Sequence, residues 1–160
     1  ATIAAEYAGG VQDLRVRGLI LIAPHFFAEP SGLASIAKMR DAYETGDLRE
    51  RLARRHARPD VAFRGWCDAW LDPAFRDWSV TDCIDYLRIP TLAIQGSDDE
   101  YGTLAQIEEL EARSYAPVDV EIIEGCGHAP HREAADRTLA ACAEFVARLK
   151  RIEAAAPVPA

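Results

Sequence analysis

The sequence predicts an α/β fold: a parallel sheet whose strands alternate with helices, interrupted by one long helical insertion. Three observations predict it. Gly18-Leu-Ile-Leu-Ile-Ala23 and Pro90-Thr-Leu-Ala-Ile-Gln95 are nearly continuous apolar runs, and Pro117-Val-Asp-Val-Glu-Ile-Ile123 is a third strand-like run. Continuous rather than alternating apolarity suits strands covered on both faces, the usual state of a parallel sheet. Helical patterns follow the second and third runs, and such alternation implies parallel strands joined by right-handed crossovers. Between the first two runs, Pro30 to Leu87 contains no comparable strand and reads as several helices.

In chain order, Ala1 to Ala8 is small and helix-prone, with Gly9-Gly10 as the expected stop. Arg15-Val-Arg17 leads into the first strand and Pro24 ends it. In the insertion, Ile36, Met39, Ala42 and Tyr43 recur at helical spacing between Leu33 and Glu44, closed by Gly46. A second helix is expected over about Leu48 to His56. A third runs from about Val61 to Leu71, with Phe63, Trp66, Ala69 and Trp70 on one side. Asp72-Pro73 interrupts, and a short segment around Thr81 to Tyr86 follows. Thr103-Leu-Ala-Gln106 has capping-box spacing and opens a helix to about Arg113. The last helix, about Arg132 to Arg151, carries Leu139, Cys142, Val146 and Leu149 as one stripe. The expected organisation is an α/β core over 1–29 and 88–153, a helical cap over 30–87, and a flexible tail over 154–160. The insertion leaves from the carboxyl end of a strand, where open α/β sheets bind ligands, so it is expected to cover a site.

The 160 residues suit one domain with a real core, and the net charge is −8. An acidic chain is poorly matched to a phosphate backbone or an anionic bilayer, so neither nucleic acid nor membrane is expected as a partner. Arg49, Arg51, Arg54, Arg55, His56, Arg58 and Arg64 run against that trend. Interleaved with Glu50 and Asp60, they read as a solvated helical face; a docking patch for an acidic substrate or partner is the alternative. Cys67, Cys83, Cys126 and Cys142 show no C-x-x-C spacing and read as small hydrophobes of a reducing compartment. No apolar run reaches transmembrane length, and a cytoplasmic location is expected.

The chemistry-bearing residues lie just past the second and third strands. His128 closes Gly125-Cys-Gly-His, a glycine turn that lets an imidazole project from a strand's carboxyl end as a general base. Asp98 and Asp99 compete for the acid that would accept the histidine's Nδ1–H, fix its tautomer and stabilise the imidazolium. The other aspartate would shape the turn. His131, with Pro130, is expected to begin the last helix. His25, just past the first strand, is a candidate for pocket lining or for plain structure. Cys126-x-His128-x-x-His131 with Asp98 lacks the paired short-loop spacing of zinc sites, so no metal or other cofactor is expected. Trp66, Trp70, Trp78, Phe63 and Phe75 make the insertion aromatic. Most should pack it, with Trp66 and Trp70 as candidates to line an apolar substrate pocket beside His25. No G-x-S-x-G occurs. Ser31, Ser35, Ser79, Ser97 and Ser114 lack elbow flanks, and Cys126 sits inside the histidine turn. A base and an acid are present without a credible nucleophile.

With Gly18-Leu-Ile-Leu-Ile-Ala-Pro24, Ile89-Pro-Thr-Leu-Ala-Ile-Gln-Gly-Ser-Asp-Asp99 and Val120-Glu-Ile-Ile-Glu-Gly-Cys-Gly-His128, the chain resembles the C-terminal part of an α/β-hydrolase fold-1 enzyme. These stretches are similar to strands six, seven and eight, with a helical cap inserted after strand six. The resemblance covers nearly the whole chain. Gly96-x-x-Asp99 matches the family spacing, so the resemblance favours Asp99 as the acid. Ala1 to Gly10 resembles the helix that follows a nucleophile elbow, which implies that the chain is a fragment lacking the serine, strands one to five and the oxyanion-hole loop. The implied chemistry is acyl transfer: a serine attacks a carbonyl, His128 takes its proton and Asp99 steadies the ring. The implied substrate is a small organic ester, thioester or C–C-bonded diketone selected by the cap. The implied partners are that small molecule and either the N-terminal half of the same protein or a second copy. A non-catalytic α/β interaction domain that kept the scaffold without the chemistry is the alternative.

Overall fold

The computed structural model describes residues 1–155. Its elements in chain order are α1 (Thr2–Gly10), β1 (Leu19–Ile22), α2 (Pro30–Thr45), α3 (Leu48–Ala53), α4 (Pro59–Leu71), β2 (Thr91–Gly96), α5 (Ala105–Arg113), β3 (Val118–Ile123), α6 (Pro130–Glu133) and α7 (Ala135–Ala155), with 3₁₀ turns at Pro73–Phe75 and Thr81–Tyr86. The three strands are parallel in the order β1-β2-β3, with Leu19 opposite Thr91 and Thr91 opposite Val118. β2 is central and buried at every position, which is why its sequence does not alternate. β3 lies at an edge and does alternate. Val118, Val120 and Ile122 pack into one core cluster, while Asp119 and Glu121 pair with Arg148 and Arg137 of α7.

Two layers cover the sheet. On one face α1, α5 and the Thr81–Tyr86 turn bury Ala5, Leu21, Phe26, Ile84, Leu87, Ala93 and Leu110 together. Cys83, Ile84 and Leu87, which the sequence assigns to the insertion, therefore pack in the sheet's own core. On the other face α7 lays Phe145 onto Leu92, Ile94, Ile123 and Cys126, a ring burial that contributes about 2–3 kcal/mol. A third cluster holds α2, α3 and α4 to one another through Ile36, Tyr43, Phe63 and Cys67. In it the Tyr43 and Phe63 rings stack at 3.9 Å.

The structure departs from the sequence expectations at the helix ends. Gly9 and Gly10 do not stop α1 but lie inside it, with Gly9 packed against the Cys83 carbonyl. The chain leaves the helix through Val11 and through Gln12 at φ 52. The capping box at Thr103 does not form: Gln106 instead turns inward, accepting from the Phe26 N–H (2.7 Å) and donating to the Phe27 carbonyl (3.1 Å) and Glu29 (2.7 Å). The last helix is two pieces broken at Ala134, and of the expected stripe only Cys142 and Leu149 face the sheet. Leu139 is 69% exposed and Val146 39%, while Thr138 and Phe145 are buried and Ala141, Cys142 and Leu149 pack beside them. Phe145, the bulkiest side chain on that side, sets the helix's rotation on the sheet. Of the expected tail, residues 154 and 155 continue α7, and 156–160 lie outside the described residues. No described helix is long and apolar enough to cross a membrane.

Candidate active site

β1, β2 and β3 end at the same side of the sheet, and the turns that follow them converge. After β1, Ala23 adopts φ 47, held by its N–H to the Ile94 carbonyl at 2.9 Å. This left-handed conformation costs an L-residue about 1 kcal/mol or more, and it swings Pro24 and His25 across the strand ends. After β2, Ser97 and Asp98 continue toward the third turn through Ser97 N–H to the Ile123 carbonyl (3.0 Å) and Asp98 N–H to the Cys126 carbonyl (2.9 Å). After β3, Gly125 turns the chain at φ 69, and its N–H donates to Ser97 Oγ at 2.8 Å. Glu133 then caps the turn, accepting from the Gly127 N–H (2.8 Å) and the Ala129 N–H (3.0 Å). His128 thus leaves a turn braced on both sides.

Asp99 and His128 meet here: Nδ1 of His128 lies 2.8 Å from Asp99 Oδ2. The aspartate side chain is 1% exposed and the histidine's 37%. Asp99 is saturated with donors. Its Oδ1 accepts from the backbone N–H groups of Tyr101 (2.8 Å) and Gly102 (3.2 Å), and its Oδ2 also accepts from Gln95 Nε2 (2.7 Å). Burial pushes its carboxyl up, but the His128 contact and the two amide bonds outweigh burial and hold it below the usual carboxylate range. An ionised Asp99 accepts the Nδ1–H, which leaves Nε2 as the basic ring nitrogen. Asp98, the competing acid, is exposed, and among the described residues its carboxylate accepts only from Ser97 Oγ at 2.9 Å, within the turn.

A cavity of about 280 Å³ opens beside His128. Its polar walls are His25, Glu29, Tyr101 and His128, and its apolar walls include Leu33, Ile36, Trp66 and Trp70. The ring of His25 lies 5.4 Å from those of both Trp70 and His128, and Tyr101 sits edge-on to His128 at 5.1 Å. Burial, followed by the neighbouring His128, holds the His25 imidazole below its ordinary value, favouring the neutral form. Trp78 and Phe75 pack against Trp70 at 5.6 and 5.1 Å, bracing it from behind. His131 is exposed at the start of α6, after Pro130 at the first helical position. Cys126 is buried, and burial pushes its thiol up. Among the described residues no three His, Cys, Asp or Glu side chains converge as a metal site. Among the described residues no serine, threonine or cysteine lines the cavity.

Sequence reasoning did not single out Gln95, Tyr101 or Glu29. Gln95 is fully buried, and its Nε2 bridges Asp99 and the Gly102 carbonyl at 2.7 and 2.8 Å. Its signal was available: a polar amide ending a strand buried on both faces must find partners. Glu29 accepts from the Thr103 N–H and Oγ1–H at 2.9 and 2.7 Å, tying the segment after β1 to the start of α5.

No family model and no curated protein matches the chain. Solved structures do. An esterase from Thermogutta terrifontis superposes with a TM-score of 0.59 at 21% identity over 92% of this chain. A meta-cleavage product hydrolase from Pseudomonas fluorescens IP01 gives 0.66 at 20% identity over 91%. The esterase RhEst1 from Rhodococcus sp. ECU1013 gives 0.61 at 17% identity over 91%. The chain spans 61% of the length of each of the three. Its parallel sheet, its helical layers and these likenesses show an α/β-hydrolase fold, of which the chain covers a part consistent with the C-terminal portion.

Proposed function

We propose that this chain carries the acid and the general base of a serine-type α/β hydrolase that cleaves a small organic ester, thioester or C–C-bonded diketone by acyl transfer. The observation that carries the reading is the contact of 2.8 Å between His128 Nδ1 and the buried Asp99, beside a cavity walled by Trp66, Trp70 and His25. In this reading His128 Nε2 takes the proton of a nucleophile supplied from outside these 160 residues. Asp99 holds the tautomer and offsets the charge that develops on the imidazole. The proton then passes from Nε2 to the leaving group, which resets the base. Neutral His25 and the Tyr101 hydroxyl are the polar groups available to orient a substrate, and the two tryptophans supply apolar contact. Donors to the oxyanion come with the nucleophile's segment.

A second reading has its own support: among the described residues no serine, threonine or cysteine lines the cavity, as a non-catalytic interaction domain would have it. Both readings are tested by assaying the 160-residue chain and the longest product of its reading frame on a short-chain aryl ester. Acyl transfer requires turnover in the longer product that His128→Ala abolishes, and none above background in the chain alone. An inactive longer product with no G-x-S-x-G favours the interaction domain. Turnover by the chain alone that His128→Ala removes would mean that a nucleophile within it had been missed.

A further inference from the structure

Resting on the acyl-transfer reading, we propose that a cavity between α3 and α6 binds the phosphate groups of the substrate, so that the substrate is an acyl ester or thioester of a phosphorylated alcohol or thiol. Four arginines, Arg51, Arg54, Arg55 and Arg132, line this cavity of about 390 Å³ together with Leu48 and Leu52, and among the described residues no carboxylate lines it. Three of them come from the end of α3 and the residues just after it, where cations complement the exposed helix carbonyls. That effect explains them singly. It does not explain Arg132, which arrives from α6 to face them.

Pairing within the protein does not account for the cluster either. Among the described residues only Arg51 has a carboxylate nearby, Asp47 at 3.9 Å. Arg49, on the same helix, shows the contrast: its guanidinium makes two hydrogen bonds to Asp60, at 2.8 and 2.7 Å. A chain of net charge −8 has carboxylates to spare, yet among the described residues none pairs with Arg54, Arg55 or Arg132. Guanidinium groups present paired N–H donors that match phosphate oxygens, and they are more weakly hydrated than ammonium groups. Four around one cavity form an anion site rather than a merely solvated face.

The cavity is also placed to serve His128. Arg132 belongs to the short helix that begins directly after the histidine turn, and Glu133 locks helix and turn together through the Gly127 and Ala129 amides. A third cavity, apolar and of about 310 Å³, shares Leu48 and Leu52 with the arginine cavity and shares Trp66 with the His128 cavity. A ligand with an acyl carbonyl at His128, a flexible middle section and a phosphate end at the arginines matches this order of walls.

The test has two arms. In the first, the protein is titrated calorimetrically with sodium pyrophosphate at constant ionic strength, with sodium chloride as the control. One saturable site is expected. It should weaken tenfold or more in Arg55→Gln/Arg132→Gln, as loss of charge-assisted hydrogen bonds requires, and stay unchanged in Arg49→Gln. Thermal melts of the variants check that these exposed substitutions leave the fold intact. No saturable binding, or equal binding by the double variant, overturns the site. In the second arm, the longest product of the reading frame, which carries the nucleophile, is assayed for hydrolysis of a thioester of a phosphorylated thiol and of its dephosphorylated counterpart. Removing the phosphate should lower kcat/KM tenfold or more, through KM, because the lost contact is made equally in ground and transition states. Equal values for both thioesters overturn the assignment to substrate. Pyrophosphate binding with neither thioester hydrolysed upholds the anion site and overturns acyl transfer instead.

Discussion

Asp99→Asn tests the acid while preserving its shape. The tight amide contacts of Tyr101 and Gly102 to Oδ1 require an oxygen at that position, so the asparagine NH₂ must take the place of Oδ2. There it meets two donors, Gln95 Nε2 at 2.7 Å and the Nδ1–H of His128 at 2.8 Å. The clash at His128 is relieved only if the ring adopts the Nε2–H tautomer, with Nδ1 as acceptor. That tautomer presents the cavity with a donor where a base is needed. The equivalent acid-to-amide change in the serine-protease triad lowers kcat by about 10⁴. A loss of about 10³–10⁴ is therefore expected, equivalent to about 4–5.5 kcal/mol of transition-state stabilisation. Stability should fall by about 2 kcal/mol, because one charge-assisted hydrogen bond is lost and Gln95 faces a donor; Tm should drop by about 4–8 °C. The tautomer is read from imidazole ¹⁵N shifts, which need no turnover, and kcat from aryl-ester hydrolysis by the protein with its nucleophile. An Nδ1–H tautomer retained in the variant, with kcat within tenfold of the parent, would refute the reasoning.

The other expectations concern the support around the site. Gln95→Leu removes the two bonds from Nε2 but also removes Oε1, which is buried without a partner. The effects offset to a net loss of about 1–2 kcal/mol, with a kcat penalty of roughly tenfold from a looser Asp99; an unchanged kcat would show that the two backbone amides suffice. Gly96→Ala would place a Cβ 2.1 Å from the Cys126 carbonyl and 2.4 Å from that of Gly127, both backbone atoms. The histidine turn must then move, at a cost of about 1–3 kcal/mol, and a parental urea midpoint would contradict the close packing. Because folding depresses the His25 pKa, the unfolded chain takes up this proton first as pH falls below about 6.5. The associated stability is full above that pH and is lost as pH falls toward the folded value. His25→Phe should flatten urea-melt stability across that window, and an unchanged slope would reject the assignment. Among the described residues β1 pairs with a strand on one side only. Such an edge is a template for another strand, so the N-terminal half of the protein or a second copy is expected in the particle. Light scattering and intact-mass measurement that find a 160-residue monomer would count against it.

What the sequence determined by itself is what local chemistry encodes. The unbroken apolarity of Leu19 to Ile22 and Leu92 to Ile94 declared buried parallel strands, because a strand covered on both faces leaves no position for a polar residue to reach water. Gly125 marked the turn that carries His128, because tight turns past a strand are written in a few adjacent residues; local chemistry left Asp98 and Asp99 open as the acid, and the Gly96-x-x-Asp99 spacing favoured Asp99 only through the resemblance. The helices of the insertion were readable from their period for the same reason. What only the tertiary structure decided depends on atoms far apart in the chain. That a buried Gln95 must find partners is legible from the strand, but that those partners are Asp99 and the Gly102 carbonyl is not, since they arrive through folding. The rotation of α7, which buries Phe145 and leaves Leu139 in solvent, follows from how one ring fits the sheet, and helical period alone allowed either stripe. Arg132 joins Arg51, Arg54 and Arg55 across almost half the sequence. A run of charges reads as a solvated face until packing brings a further cation from another element against it, because charge balance is a property of neighbours in space.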